Sequence, residues 1–204
     1  ANRSLPDNAA DVADDLIQFQ SGGHVLGFLS NQVTLAGLDH ALRVEFVGTV
    51  GVRPQSAEAE TFSRVTYPNL WPGIDLAYTT TADGLAKSTY TLAPGANPAD
   101  IRLRYHTPLT QQADGSLRFS FDSGYLVEAA PVAWQDVDGR RVEVDVSFDL
   151  TPSPAGETPV VGFRLGRYDP RYPLVIDPLY LWHSFYGSSN ADLGTAIAVD
   201  DSGN

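Results

Sequence analysis

Period limits this chain more than any other feature. From about residue 24 to residue 178, apolar residues recur at every second position in short runs, and glycine, proline or an Asp-Gly pair stops most of the runs. Leu42, Val44 and Phe46 share one face of the run Leu42–Val47. Ile74 to Tyr78 alternates in the same way, and Ile101, Leu103 and Tyr105 point inward while Arg102 and Arg104 point outward. The run Val142 to Phe148 is the cleanest alternation and reads as one strand. A two-residue period belongs to strands with one buried face. Turn signals stand between the runs at Gly22-Gly23, Ala82-Asp83-Gly84, Asp114-Gly115, Ser123-Gly124 and Asp138-Gly139, and Asp-Gly accepts the positive φ of tight hairpins. Tyr67 to Gly73 reads as a turn-rich corner and Arg53 to Ser63 as a polar loop without a strand. Only Ala9 to Ile17 carries a weak helical pattern, with Asp7 or Asn8 as its cap. These features predict an all-β protein, an antiparallel sandwich built as two packed halves meeting near Pro94. No glycine-rich turn joins a strand to a helix, which excludes dinucleotide and phosphate-loop folds.

The last quarter sets the boundary of the domain. Leu174-Val175-Ile176 lies between Pro173 and Pro178 and reads as a buried strand with a hard stop, so that a charge at Val175 is expected to unfold the protein. Tyr180 to Asn204 then runs as an aromatic strand, a Gly-Ser-Ser-Asn turn, a small-residue strand Thr195–Val199 and a second turn. The expected division is an all-β domain over 1–178 and the start of a repeat over 179–204, with more repeats following in a longer polypeptide. Leu179 to Phe185 is expected to fold back as a strand beside Pro173–Pro178. The remainder is expected to be weakly anchored or to pair with another copy by edge addition.

Composition removes several classes of function. The net charge of −12 opposes nucleic acid and anionic membranes, because a polyanion would be repelled. No stretch approaches the roughly 20 apolar residues that span a bilayer. Cysteine is absent, so there is no disulfide, thiolate metal site or cysteine nucleophile. His24, His40, His106 and His183 are scattered without an H-E-x-x-H spacing, and no G-x-S-x-G is present; no metal, cofactor or catalytic residue is expected.

Several of these segments resemble one known arrangement. Tyr67-Pro68-Asn69-Leu70-Trp71-Pro72-Gly73-Ile74-Asp75-Leu76-Ala77-Tyr78 is similar to the "nlYPGIDLvYy" stretch of the domain that precedes SBBP (seven-bladed β-propeller) repeats in bacterial exported proteins. Tyr90 to Ile101 resembles its "F-V-x-PGADPxxI". Pro131-Val132-Ala133-Trp134-Gln135, Tyr168-Asp169 and Pro173 to Pro178 continue the order, and Tyr180–Asn204 resembles the opening of the first repeat. The chain departs from the pattern at Ser4-Leu5, around Ser56 to Val65, and at the single Gly187. The resemblance implies an exported, extracellular or cell-surface bacterial domain of unknown function, associated with a propeller and bringing no established catalytic residue.

Four residues stand out as candidate ligand-binding positions: Trp71, Asp75, Trp134 and Asp177. Asp75 and Asp177 each sit between apolar neighbours at a proline-built corner. They read either as a glycosidase-like carboxylate pair, which needs a separation of about 5–10 Å, or, as favoured here, as acceptors for backbone N–H groups. Trp71, Trp134 and Trp182, with nearby tyrosines, read as a sugar-stacking platform or, as favoured, as packing. Asp136 to Gly139 and Asp200 to Asn204 resemble fragments of calcium loops but lack the closing glutamate. The favoured function is a non-catalytic structural or adhesion module supporting the propeller repeats of the same polypeptide. A carbohydrate-binding module with glycan partners is the alternative, and a glycan-active enzyme ranks third.

Overall fold

A computed structural model of the protein describes residues 16–56, 63–81, 85–154 and 157–184, with the backbone alone for 182–184. The strands among them are β1 Ile17–Ser21, β2 His24–Leu29, β3 Gln32–Ala36, β4 Ala41–Phe46, β5 Gln55–Ser56, β6 Arg64–Trp71, β7 Ile74–Thr79, β8 Ala86–Leu92 and β9 Leu103–Tyr105. They continue with β10 Leu109–Gln111, β11 Leu117–Phe121, β12 Gly124–Glu128, β13 Val132–Val137, β14 Arg140–Val144, β15 Val146–Thr151, β16 Val160–Leu165, β17 Leu174–Asp177 and β18 Leu179–Ser184. They form a seven-stranded sheet in the order β1-β2-β3-β4-β9-β16-β15 and an eleven-stranded sheet that holds the rest. The two antiparallel sheets pack face to face as a sandwich, as the period predicts. They are not successive halves of the chain, because it passes between them several times. Ile17 opens a strand where the weak helical pattern ends; 9–15, the turn 82–84 and the tail 185–204 lie outside the described residues.

Aromatic rings fill the space between the sheets. Phe46 of β4 meets Tyr67 and Trp71 of β6 with ring centroids 5.1 and 5.9 Å apart. Tyr90 of β8 meets Phe163 of β16 at 5.2 Å, and Tyr105 of β9 meets Phe119 of β11 at 4.8 Å. Each pair joins one sheet to the other, so the core is a single cluster.

Four expectations are corrected. Val142–Phe148 is not one strand: β14 pairs with β13 in the larger sheet, and β15 pairs with β16 in the smaller, the chain changing sheets at Asp145. The alternation continues across the crossing, and nothing in the pattern marks it. Tyr67–Gly73 is a bulged strand rather than a corner. The pairing of β6 with β7 slips between Tyr67 and Trp71, and Asn69 takes φ 51° there before the Pro72-Gly73 turn. Val175 is half-buried on the outer face, whereas Leu174 and Ile176 are in the core. The strand between the prolines is therefore buried on one face only. The polar loop of 53–63 also contains β5, a two-residue strand against β6.

Leu179–Ser184 does fold back, but in line with β17 rather than beside it. Ile176 faces Tyr90 of β8 and Leu179 faces Lys87, so three residues advance on each strand and the register carries through Pro178 without a slip. On the other side, β17 pairs with β13 and β18 with β12. Residues 174–180 thus form the middle line of the larger sheet, with partner strands on both sides, and 181–184 continue it against β12. The boundary expected after Pro178 falls between two consecutive segments of this line.

Candidate functional site

Three places gather chemically capable side chains. The first is the outer face of the larger sheet. Asp75 pairs across β7–β8 with Thr91, Thr91 with Val175, Val175 with Trp134, and Trp134 with Glu143. Asp75, Thr91, Val175, Trp134 and Glu143 therefore lie in one row across five strands. Asp177 is two residues along β17 on the same face. At the usual strand spacing and rise, the backbone positions of Asp75 and Asp177 are about 12 Å apart. Each carboxylate also has structural partners. Asp75 accepts the Asn69 N–H at 2.7 Å, and Asn69 accepts the Gly73 N–H at 2.7 Å, which ties the bulge to the turn. Asp177 accepts the Thr89 hydroxyl at 2.9 Å and meets Lys87 Nζ at 2.7 Å.

The tryptophans do not form a pair of open rings. Trp71 is buried, and its Nε1–H donates to the Val47 carbonyl at 3.1 Å. Trp134 is half-buried on the outer row, with the Arg141 guanidinium 3.8 Å from its ring centroid. Gln135, next to it, is buried and holds the loop before β17. It accepts the Asp169 N–H at 2.8 Å and donates to the Asp169 carbonyl at 2.8 Å. Within Asp136 to Gly139, Asp136 and Val137 end β13, and Asp138-Gly139 is the β13–β14 hairpin turn with positive φ at both residues. Among the described residues no group of three or more His, Asp or Glu side chains is placed to hold a metal.

The second place is sealed between the sheets. Glu128, at the end of β12, is fully buried and accepts a short hydrogen bond from the Tyr105 hydroxyl of the opposite sheet. Burial pushes its carboxyl up to about 7, against the Tyr105 and Tyr180 hydroxyls, which favour the ionised form. Tyr78, Tyr90, Tyr105 and Tyr180 all titrate above their ordinary range because of burial and, to a lesser degree, the charge of Glu128. Glu128 Oε1 and the hydroxyls of Tyr78 and Tyr90 are buried without a hydrogen-bond partner. The sequence carried a signal for this residue, because Glu128 has the same parity as the inward-facing Leu126.

The third place is at the rim. His24 opens β2, and Asp39-His40 closes the β3–β4 loop. The two imidazoles meet Nε2 to Nε2 at 2.8 Å, both nearly buried. His24 Nδ1 lies 3.0 Å from the Gly22 carbonyl, and His40 Nδ1 lies 2.9 Å from Asp39 Oδ1. Ser123, in the β11–β12 turn of the other sheet, donates to Asp39 at 2.8 Å. Serine, histidine and aspartate are thus close together, but Asp39 and Ser123 both sit on the Nδ1 side of His40. A hydrolase triad needs them on opposite nitrogens, so this geometry aims no base at Ser123. Sequence reading missed the pair because His24 and His40 meet only through the registers of β2, β3 and β4.

The family model described as "Domain of unknown function (DUF7948)" matches residues 38–179. No curated protein and no solved structure gives a significant match.

Proposed function

The chain belongs to the DUF7948 family, and on that premise we propose that it is a non-catalytic structural module of a bacterial exported or cell-surface protein, supporting β-propeller repeats of the same polypeptide. One observation carries the reading. Leu179–Ser184, where the resemblance to a first repeat begins, is a strand of the larger sheet that pairs with β12 along Tyr180–Ser184 and with β8 at Leu179 and Tyr180. Repeats continuing from that strand would be anchored to a line inside the larger sheet. The segments that carry the resemblance also do structural work here: Asp75 and Asn69 fasten the bulge, Gln135 fastens the loop, and Asp177 joins β17 to β8. Glycan binding finds less support, since Trp71 is internal and Arg141 covers one face of Trp134.

The test uses the polypeptide that carries the repeats, with and without Leu181→Pro. Proline removes a ladder hydrogen bond from β18. Hydrogen exchange should show lost protection both in the sandwich and in the first repeat. Repeats that keep full protection in a variant whose sandwich has loosened would sink the supporting role.

A further inference from the structure

The two rim histidines pose a problem of proton placement. A carbonyl only accepts, so His24 Nδ1 must carry the hydrogen that reaches Gly22. Asp39 is held ionised, its carboxyl lowered chiefly by its hydrogen bond to His40, so His40 Nδ1 must carry a hydrogen as well. With both Nδ1 atoms protonated, two neutral imidazoles would face each other with bare Nε2 lone pairs at 2.8 Å. Such an arrangement is repulsive unless a cation lies between them. The separation is that of an N–H···N hydrogen bond. Two nitrogens on one tetrahedral metal ion, each about 2.0–2.1 Å from it, would stand roughly 3.3 Å apart.

We propose that His24 and His40 share a single proton between their Nε2 atoms and act as an acid-sensitive clasp at one rim of the sandwich. The fold reserves room for it. A Cβ on Gly37 would lie 2.2 Å from His40 Cε1 and 2.6 Å from its Nε2, so the imidazole occupies the space a side chain would need. The clasp spans both sheets: β2 and the β3–β4 loop belong to one, while Ser123 and Phe121, whose ring centroid is 5.1 Å from that of His40, belong to the other. Among the described residues, Asp39 is the charged group hydrogen-bonded to the pair. The β1–β2 turn contributes the Gly22 carbonyl, and the β11–β12 turn contributes a hydroxyl and a phenyl ring.

The pair titrates as a unit. Below pH ~6.5, the ordinary histidine value, an unfolded chain holds two protons on these residues and the clasp holds one, so the clasp gains stability as pH rises. Above it, the unfolded chain holds none and the clasp keeps one, so stability falls as pH rises. Each limb corresponds to about tenfold in the folding constant per pH unit. A second proton places two like charges face to face and opens the clasp.

The experiment is nitrogen-detected NMR of the histidine rings of the intact protein from pH 4.5 to 9, with hydrogen exchange at 37–40 and 122–124 read alongside. The expected result is two Nδ1–H groups at pH 7 and two well-separated titration steps for the pair. Protection in both segments should collapse together at the acid step. Gly37→Ala should merge the steps and cut protection in 37–40 at least tenfold while leaving the sheet core protected. An Nε2–H neutral tautomer on either ring, a single common midpoint, or stoichiometric zinc taken up by the pair would each overturn the proposal.

Discussion

The two sides of the larger sheet are built from the same strands and obey different rules. Facing inward, Leu174, Ile176 and Tyr180 are buried, and Glu128 is held among tyrosines with its charge suppressed. Facing outward, Asp75 accepts the Asn69 N–H, Asp177 meets Thr89 and Lys87, and the Arg141 guanidinium lies over the Trp134 ring. The inward side depends on exclusion of water, the outward side on fastening of bulges, turns and strand ends. An alternating strand places residues of these two kinds next to each other, so neighbours in sequence should respond very differently to the same substitution.

The largest effect should come from Ile176→Asp. An unpaired carboxylate in the core costs more than about 5 kcal/mol, comparable to the whole stability of a domain. Circular dichroism should show no cooperative unfolding transition. A folded variant with a melting temperature near that of the parent would remove the distinction between the two sides.

Glu128→Gln should come next, with the opposite sign. Glu128 titrates near 7 in the folded protein and from 4.5 in the unfolded chain. Between those values the unfolded state has released a proton that the folded state still holds, so stability falls as pH rises and then levels off above about 7. Glutamine removes this dependence. The variant should be more stable by about 3 kcal/mol at pH 8 and nearly equal to the parent at pH 4.5. Urea unfolding at both pH values reads the difference. Equal stability at pH 8 would mean that the carboxyl is not sealed from water.

The period reveals the sandwich but not how the sheets are assembled. Leu42, Val44, Phe46, Ile101, Leu103 and Tyr105 are inward where alternation places them, because parity is a local property. The crossing at Asp145 is invisible, because a strand that leaves one sheet for another keeps its alternation. The position of β18 was only half legible. Pro178 signals a break, but continuation in line along β8 depends on a partner strand more than eighty residues earlier. The candidate residues follow the same logic. Asp75 accepts a nearby backbone N–H, as turn chemistry predicts, whereas Asp177 accepts the Thr89 hydroxyl and meets Lys87 on β8 instead of the backbone N–H groups expected of it. Glu128 and the two histidines required knowing which strands meet across the core or along the rim.

The smallest effect should come from Val175→Asp, a substitution one residue from the most damaging one. Val175 is half-buried on the outer row, between Thr91 on β8 and Trp134 on β13. An aspartate there keeps its carboxylate within reach of water, so the cost of an unpaired buried charge does not arise. What is lost is the apolar contact between β-branched and aromatic neighbours and the better strand propensity of valine, together about 1 kcal/mol. Thermal unfolding at pH 7 should show a drop of a few degrees with cooperativity intact. Loss of the transition would show that something covers the outer row in the folded protein, and the row would then have to be treated as a second interior face. A drop of a few degrees, set beside the collapse of Ile176→Asp, would place the boundary between the two sides of the sheet within a single peptide unit.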